Sequence, residues 1–139
     1  MIEPEAAALA ATRIDQVGLM ALASAFRDMI AAGEDEQAFF AADSRFHRSI
    51  LHSVGNTLGL ALTGTVEQAL ELNLRLSLNA PRGQQRAVPL HCAVLDAVRD
   101  GNADGARIAM RKLIDGTEKD VRRALAVTPE TPVQRARLR

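Results

Sequence analysis

Tyrosine and tryptophan are absent from this 139-residue chain, and phenylalanine occurs only four times. Its apolar share of 47% must therefore come mainly from Ala, Leu, Val, Ile and Met, a mixture that favours helices. A single cysteine, Cys92, excludes an intramolecular disulfide and fits a reducing compartment. An excess of charge is lacking too. Seventeen basic and seventeen acidic residues cancel, which argues against a nucleic-acid binder held by a broad basic face. No apolar run approaches the roughly 20 residues of a membrane span. The opening MIEPEAAALAATR carries acids where a signal peptide has a basic segment. The expectation is a soluble cytoplasmic protein with no membrane partner, and the length suits one domain around one core.

Proline is missing from residues 5–80 and falls only at 4, 81, 89, 129 and 132. Long helices can therefore run unbroken, with Gly33, Gly55, Gly83, Gly101 and Gly116 as candidate ends. Pro4 between Glu3 and Glu5 reads as a helix start, with acids that complement the N-terminal dipole. A short helix to about Thr12 follows. The next stripe is Ile14, Val17, Ala21, Leu22, Ala25, Phe26, Met29 and Ile30. A third helix carries Phe39, Phe40, Phe46, Ile50, Leu51 and Val54 at helical spacing and closes at Gly55-Asn56. Residues 57–80 are ambiguous, because Leu70, Leu72, Leu74, Leu76 and Leu78 alternate as a strand would. A helix covered on both faces, one by a dimer partner, is preferred, since nothing else alternates to pair with a strand. NAPRGQQRAVP reads as a loop, with Pro89 in the first turn of a helix whose stripe is His91, Val94, Leu95 and Val98. The last helix starts near Asn102 and turns Ala106, Met110, Leu113, Thr117 and Val121 inward. Residues 127–139 read as a disordered tail. The fold class is all-α.

Asp43 and His47 sit on the apolar stripe of the third helix. Four residues apart, they lie about 40° from one another around the axis, so a carboxylate oxygen and an imidazole nitrogen can converge on one atom. His91 supplies a second imidazole from another inward stripe. Two histidines and a carboxylate suit Zn²⁺, Ni²⁺, Mn²⁺ or Fe²⁺ and leave positions open for water or ligand oxygens. The plainer alternative is that Asp43 and His47 only hydrogen-bond to each other or to backbone. A buried carboxylate still needs a positive neighbour, whether a protonated His47, an arginine or a metal. Arg75 follows Glu71 by four and forms either an exposed salt bridge or an anion contact in a cavity. Asn56 either caps the following helix or touches a ligand. His52 lies off the stripe and reads as a residue of the helix C-terminus. Cys92 points about 100° away from His91 and is not a nucleophile. A catalytic serine elbow, a P-loop and a dinucleotide fingerprint are all missing.

Three segments, IEPEAAALAATR, AFFAADSRFHRSILHSVGN and LHCAVLDAVRDGNADGARIAMRKLI, together resemble the successive motifs of the FCD domain. This is the all-helical ligand-binding half of FadR-type GntR transcription regulators. The resemblance spans roughly residues 2–122 in conserved order and implies an antiparallel bundle of about six helices, close to the shorter VanR-like variant. It further implies a homodimer whose bundle, residues 1–126, encloses a small organic acid. In many members a divalent metal is held by an Asp, the His four later, a His of the penultimate helix and a His of the last. The first three correspond to Asp43, His47 and His91. Leu113 stands where the fourth would be, so Zn, Ni or Mn would have three protein ligands. Family members carry an N-terminal winged helix-turn-helix that is not in this chain, so DNA contact would run through that domain. A metal-dependent helical-bundle enzyme with a 2-His-1-carboxylate centre is the alternative.

Overall fold

Two aspartates start the second and third helices. Asp15 Oδ1 accepts from the Gly18 amide at 2.7 Å, and Asp35 Oδ1 accepts from that of Ala38 at 3.1 Å. Each satisfies an orphan donor of a first turn, worth about 1 kcal/mol. The computed structural model describes residues 2–55 and 82–127, with Leu72 alone between them. Among these residues are five helices and no strand. They are α1 (Ile2–Arg13), α2 (Gln16–Ala32), α3 (Glu36–Ser53), α4 (Gly83–Arg99) and α5 (Ala103–Val127). Asn56, Arg75, the Leu70–Leu78 alternation and the tail beyond 127 lie outside the described residues.

α2 packs on α3 and α4 on α5, while α1 packs against α5, α3 and α4. α1 can approach several neighbours because its buried face is Ala6, Ala7, Ala10 and Ala11, whose short side chains bring backbones close. The α2–α3 turn depends on Gly33, whose φ of 54° is open to glycine at little cost. At the α4–α5 turn Gly101 adopts φ 69°, its amide donating to Val98 and that of Asn102 to Ala97. Asn102 Oδ1 then accepts from the Gly105 amide at 2.9 Å and caps α5. The core is filled by Phe39, Phe46, Leu22, Met29, Ile50 and Met110, all nearly inaccessible to solvent. No helix among the described residues is long and apolar enough to cross a membrane.

Four expectations about local structure change. The loop before α4 is shorter than the sequence implies, since the helix begins at Gly83 and holds Pro89 in its interior. Its early turns are pinned from α5, where the buried Asp120 Oδ1 accepts from Arg86 Nε at 3.0 Å. Gly83 accordingly opens a helix. Gly116 does not end one: it lies within α5, where a Cβ would come 2.8 Å from Leu90 Cδ1, so its bareness admits the α4 side chain. The α2 stripe is also narrower, with Leu22, Ala25 and Met29 buried but Val17 and Ile30 exposed.

Candidate metal centre

α3 delivers Asp43 and His47 to the interior together. Its stripe buries Phe39, Phe46, Ile50 and Leu51 against the other helices, and a four-residue offset carries both polar residues inward with them. α4 does the same for His91, which shares its buried face with Val94, Leu95 and Val98. All three polar side chains are buried, at 5%, 5% and 2% exposure. One ligand atom from each lies within 4.8 Å of the others. Asp43 Oδ1 stands 2.7 Å from His91 Nε2 and 3.7 Å from His47 Nε2. Phe46 walls the group, its ring edge-on to His91 at 4.9 Å and to His47 at 5.8 Å between centroids.

The far nitrogens of both rings are occupied. His91 Nδ1 donates to the Ala87 carbonyl at 2.8 Å, one turn earlier in its own helix. His47 Nδ1 donates to Glu3 Oε1 at 2.7 Å, from the first turn of α1. With each Nδ1 a donor, the neutral rings present lone pairs at Nε2 toward a carboxylate that can only accept. His91 Nε2 is buried 2.7 Å from Asp43 Oδ1 without the alignment of a hydrogen bond. Three acceptors converging in a dry interior repel unless a cation lies among them. Metal bonds of about 2.0–2.2 Å in a tetrahedral array set ligand atoms about 3.4 Å apart, a value that the observed spacings bracket. The residues present fit a divalent metal.

A proton is the other cation that fits. Burial works against charge on His47, but the carboxylates of Glu3 and Asp43 outweigh it and hold the imidazolium well above its ordinary value of 6.5. Burial pushes Asp43 up, and His47 followed by His91 more than reverses this, holding it below the usual carboxylate range. The charged groups facing His47 are thus Glu3 of α1, Asp43 of α3 and, when protonated, His91 of α4. In the metal-free chain the stabilisation from His47 is fully present below its unfolded value of about 6.5. It is lost as pH rises through the higher folded value. That from Asp43 is present above about 4 and lost in acid. The metal-free melting temperature is expected to fall as pH rises from about 6.5. A bound metal displaces the proton, so the increment it adds should grow over the same range. Melting curves with chelator and with Zn²⁺ check both slopes, and a metal-free midpoint that climbs with pH would contradict them.

Glu3 is the residue that sequence reasoning missed. Read as a helix-dipole acid, it lies on the same face of α1 as Ala7 and Ala10, the kind of polar intrusion that singled out Asp43. Leu113 is 2% exposed and belongs to the apolar core. His52 is exposed in the last turn of α3, as expected. Cys92 sits 3.7 Å from Asp96, and burial together with that carboxylate raises its thiol pKa, the opposite of a reactive thiolate.

A helical bundle with a buried Asp-His-His group has the form in which bundles build metal and ligand sites, from side chains on facing helices. The chain belongs to the FCD domain family, whose profile matches residues 1–116, and so to the effector-binding regulatory domains of GntR-type regulators. The galactonate operon transcriptional repressor of Escherichia coli (strain K12) is 30% identical over 118 residues, covering 82% of this chain and 50% of the repressor. Streptococcus agalactiae GntR matches in structure with a TM-score of 0.71 at 24% identity, over 85% of this chain and 53% of that one. The chain spans about half the length of each. The enzyme alternative finds no support in these relatives.

Proposed function

We propose that this chain senses a small organic acid through a divalent metal held by Asp43, His47 and His91. We further propose that it works as a homodimer whose geometry controls a DNA-binding domain elsewhere in the regulator. The observation that carries the metal reading is the buried convergence of Asp43 Oδ1 with the Nε2 atoms of His47 and His91, where His91 Nε2 lies 2.7 Å from the carboxylate without an aligned hydrogen bond. A metal in that position acts as a Lewis acid toward carboxylate and hydroxyl oxygens. The protein's part is to hold three donors on two helices and to keep them dry with Phe46. An acid that bridges the centre and the surrounding helices favours one arrangement of the bundle, and that difference in affinity is all a ligand needs to shift a dimer. The name of the galactonate operon repressor makes a sugar acid the first probe.

The test is a thermal-shift series on chelator-treated protein, with galactonate and other small carboxylates, each with and without Zn²⁺, Ni²⁺ or Mn²⁺. A ligand at about 100 times its Kd adds about 2.7 kcal/mol. For a domain of this size that is on the order of 10 °C. Metal alone is expected to raise the midpoint, and the cognate acid to raise it further only when metal is present. An acid that stabilises equally well in chelator would remove the metal from the reading. Turnover of the acid would replace the sensor with an enzyme.

A further inference from the structure

We propose that Glu3 is the positioning residue of the centre. Its carboxylate holds the His47 ring with Nδ1–H turned toward α1 and Nε2 turned into the cation site, which makes docking of the first turn of α1 part of cation binding. This rests on the metal reading above and extends it to a helix that supplies no ligand.

The two imidazoles are oriented in different ways. His91 is held by Ala87, a carbonyl of its own helix one turn away, so its tautomer is set as soon as α4 forms. His47 has no such local orienter for Nδ1, since the residue one turn before it is Asp43, which stands on the Nε2 side of the ring. Its Nδ1 is met instead by Glu3, 44 residues away in sequence, at 2.7 Å. Both side chains are nearly inaccessible, at 6% and 9% exposure, so water is a poor substitute. A carboxylate can only accept, which forces the proton onto Nδ1 and leaves the Nε2 lone pair for the cation. Such an outer partner also makes the ligand nitrogen more basic.

Glu3 also has the right neighbours to couple the site to its helix. It lies in the first turn of α1, where the dipole favours a negative charge. The other end of α1 is tied to α3 separately, by Arg13 Nη1 donating to the Val54 carbonyl at 3.1 Å. Between these two bonds α1 turns mainly alanine to the core. The exposed Glu5 of the same first turn pairs with Arg107 of α5 at 2.8 Å, so Glu3–His47 is the buried polar bond that ties this turn to α3.

The experiment uses the purified chain and its Glu3→Ala, Glu3→Gln and Asp43→Ala variants, with three readouts. These are Zn²⁺ affinity by chelator competition, the His47 ring protons by ¹⁵N-edited NMR, and amide exchange along α1 with and without Zn²⁺. Glu3→Ala is expected to weaken Zn²⁺ binding about 10–100-fold, and Glu3→Gln, which keeps an acceptor but loses the charge, by less. The wild type is expected to show a slowly exchanging His47 Nδ1 proton that Glu3→Ala loses. Zn²⁺ should slow exchange in the first turn of α1 in the wild type and not in Glu3→Ala. Wild-type affinity in both Glu3 variants, or a wild-type His47 without a protected Nδ1 proton, overturns the proposal. If Glu3→Ala does not fold, the Glu3→Gln affinity decides. If wild type binds Zn²⁺ no better than Asp43→Ala, the metal reading fails instead. The Nδ1 proton of the metal-free chain then still decides whether Glu3 orients His47.

Discussion

Asp43→Ala is expected to lose about 3–5 kcal/mol of stability in the metal-free chain and to retain no Zn²⁺ after dialysis. Two separate causes produce the two losses. In the metal-free protein the Asp43 carboxylate faces both Nε2 atoms, at 2.7 and 3.7 Å, from a position 5% exposed. Removing it leaves buried imidazoles with a partner on one side only, and a severed buried pair costs far more than the pair contributed. Glu3 still faces His47, so the loss belongs at the lower end of that range. In the metal-bound protein the variant removes the only anionic ligand of the three, and two neutral imidazoles hold a divalent ion poorly. Asp43→Asn separates shape from charge, because it keeps the volume and loses the anion. Urea denaturation in chelator measures the first effect and metal analysis after dialysis the second. Metal retained by both variants at the wild-type level would place the site elsewhere.

Phe46→Ala is expected to cost about 3–5 kcal/mol, as truncation of a fully buried aromatic does. The ring is inaccessible and packs edge-on against both imidazoles. Its loss therefore opens a cavity beside the centre itself. Against a total stability on the order of 5–15 kcal/mol, this removes a large share of what holds the domain folded. Two consequences should appear together. The urea midpoint falls at nearly constant slope, and Zn²⁺ recovers only part of the loss, because binding to the folded state adds its own increment to a weakened site. Phe46→Leu keeps apolar volume and is expected to lose less on both counts. A Phe46→Ala midpoint within about 1 kcal/mol of wild type would show that the ring does not fill the space around the histidines.

Much of this was legible in the amino-acid order, because a helix is a local object. The rise and turn between neighbours are the same wherever the helix lies. Asp43 and His47 had to share a face with Phe39, Phe46 and Ile50 once the segment was helical, and the buried stripe of α3 is the one its spacing describes. The end signals at Gly33, Gly55 and Gly101 fall at or beside the ends of α2, α3 and α4 for the same reason. His91 was recognisable as an inward residue, but that it reaches Asp43 followed from resemblance rather than from periodicity.

What the tertiary structure alone decided is which distant group lies against each face. Glu3 looked like an ordinary first-turn acid until α1 was set beside α3 and its carboxylate met His47. The start of α4 was hidden because Arg86 finds Asp120 34 residues later, across the α4–α5 contact. Gly116 looked like a helix end, and only the Leu90 side chain of α4 explains why it stands mid-helix. Val17 and Ile30 carry core-like side chains that face outward among the described residues, since the width of a buried stripe depends on how much neighbour there is to cover it. Local order along the chain set the faces. The packing of helices far apart in sequence set what those faces see, and turned two polar residues on one helix into a buried cluster of one carboxylate and two imidazoles that Glu3 joins from α1.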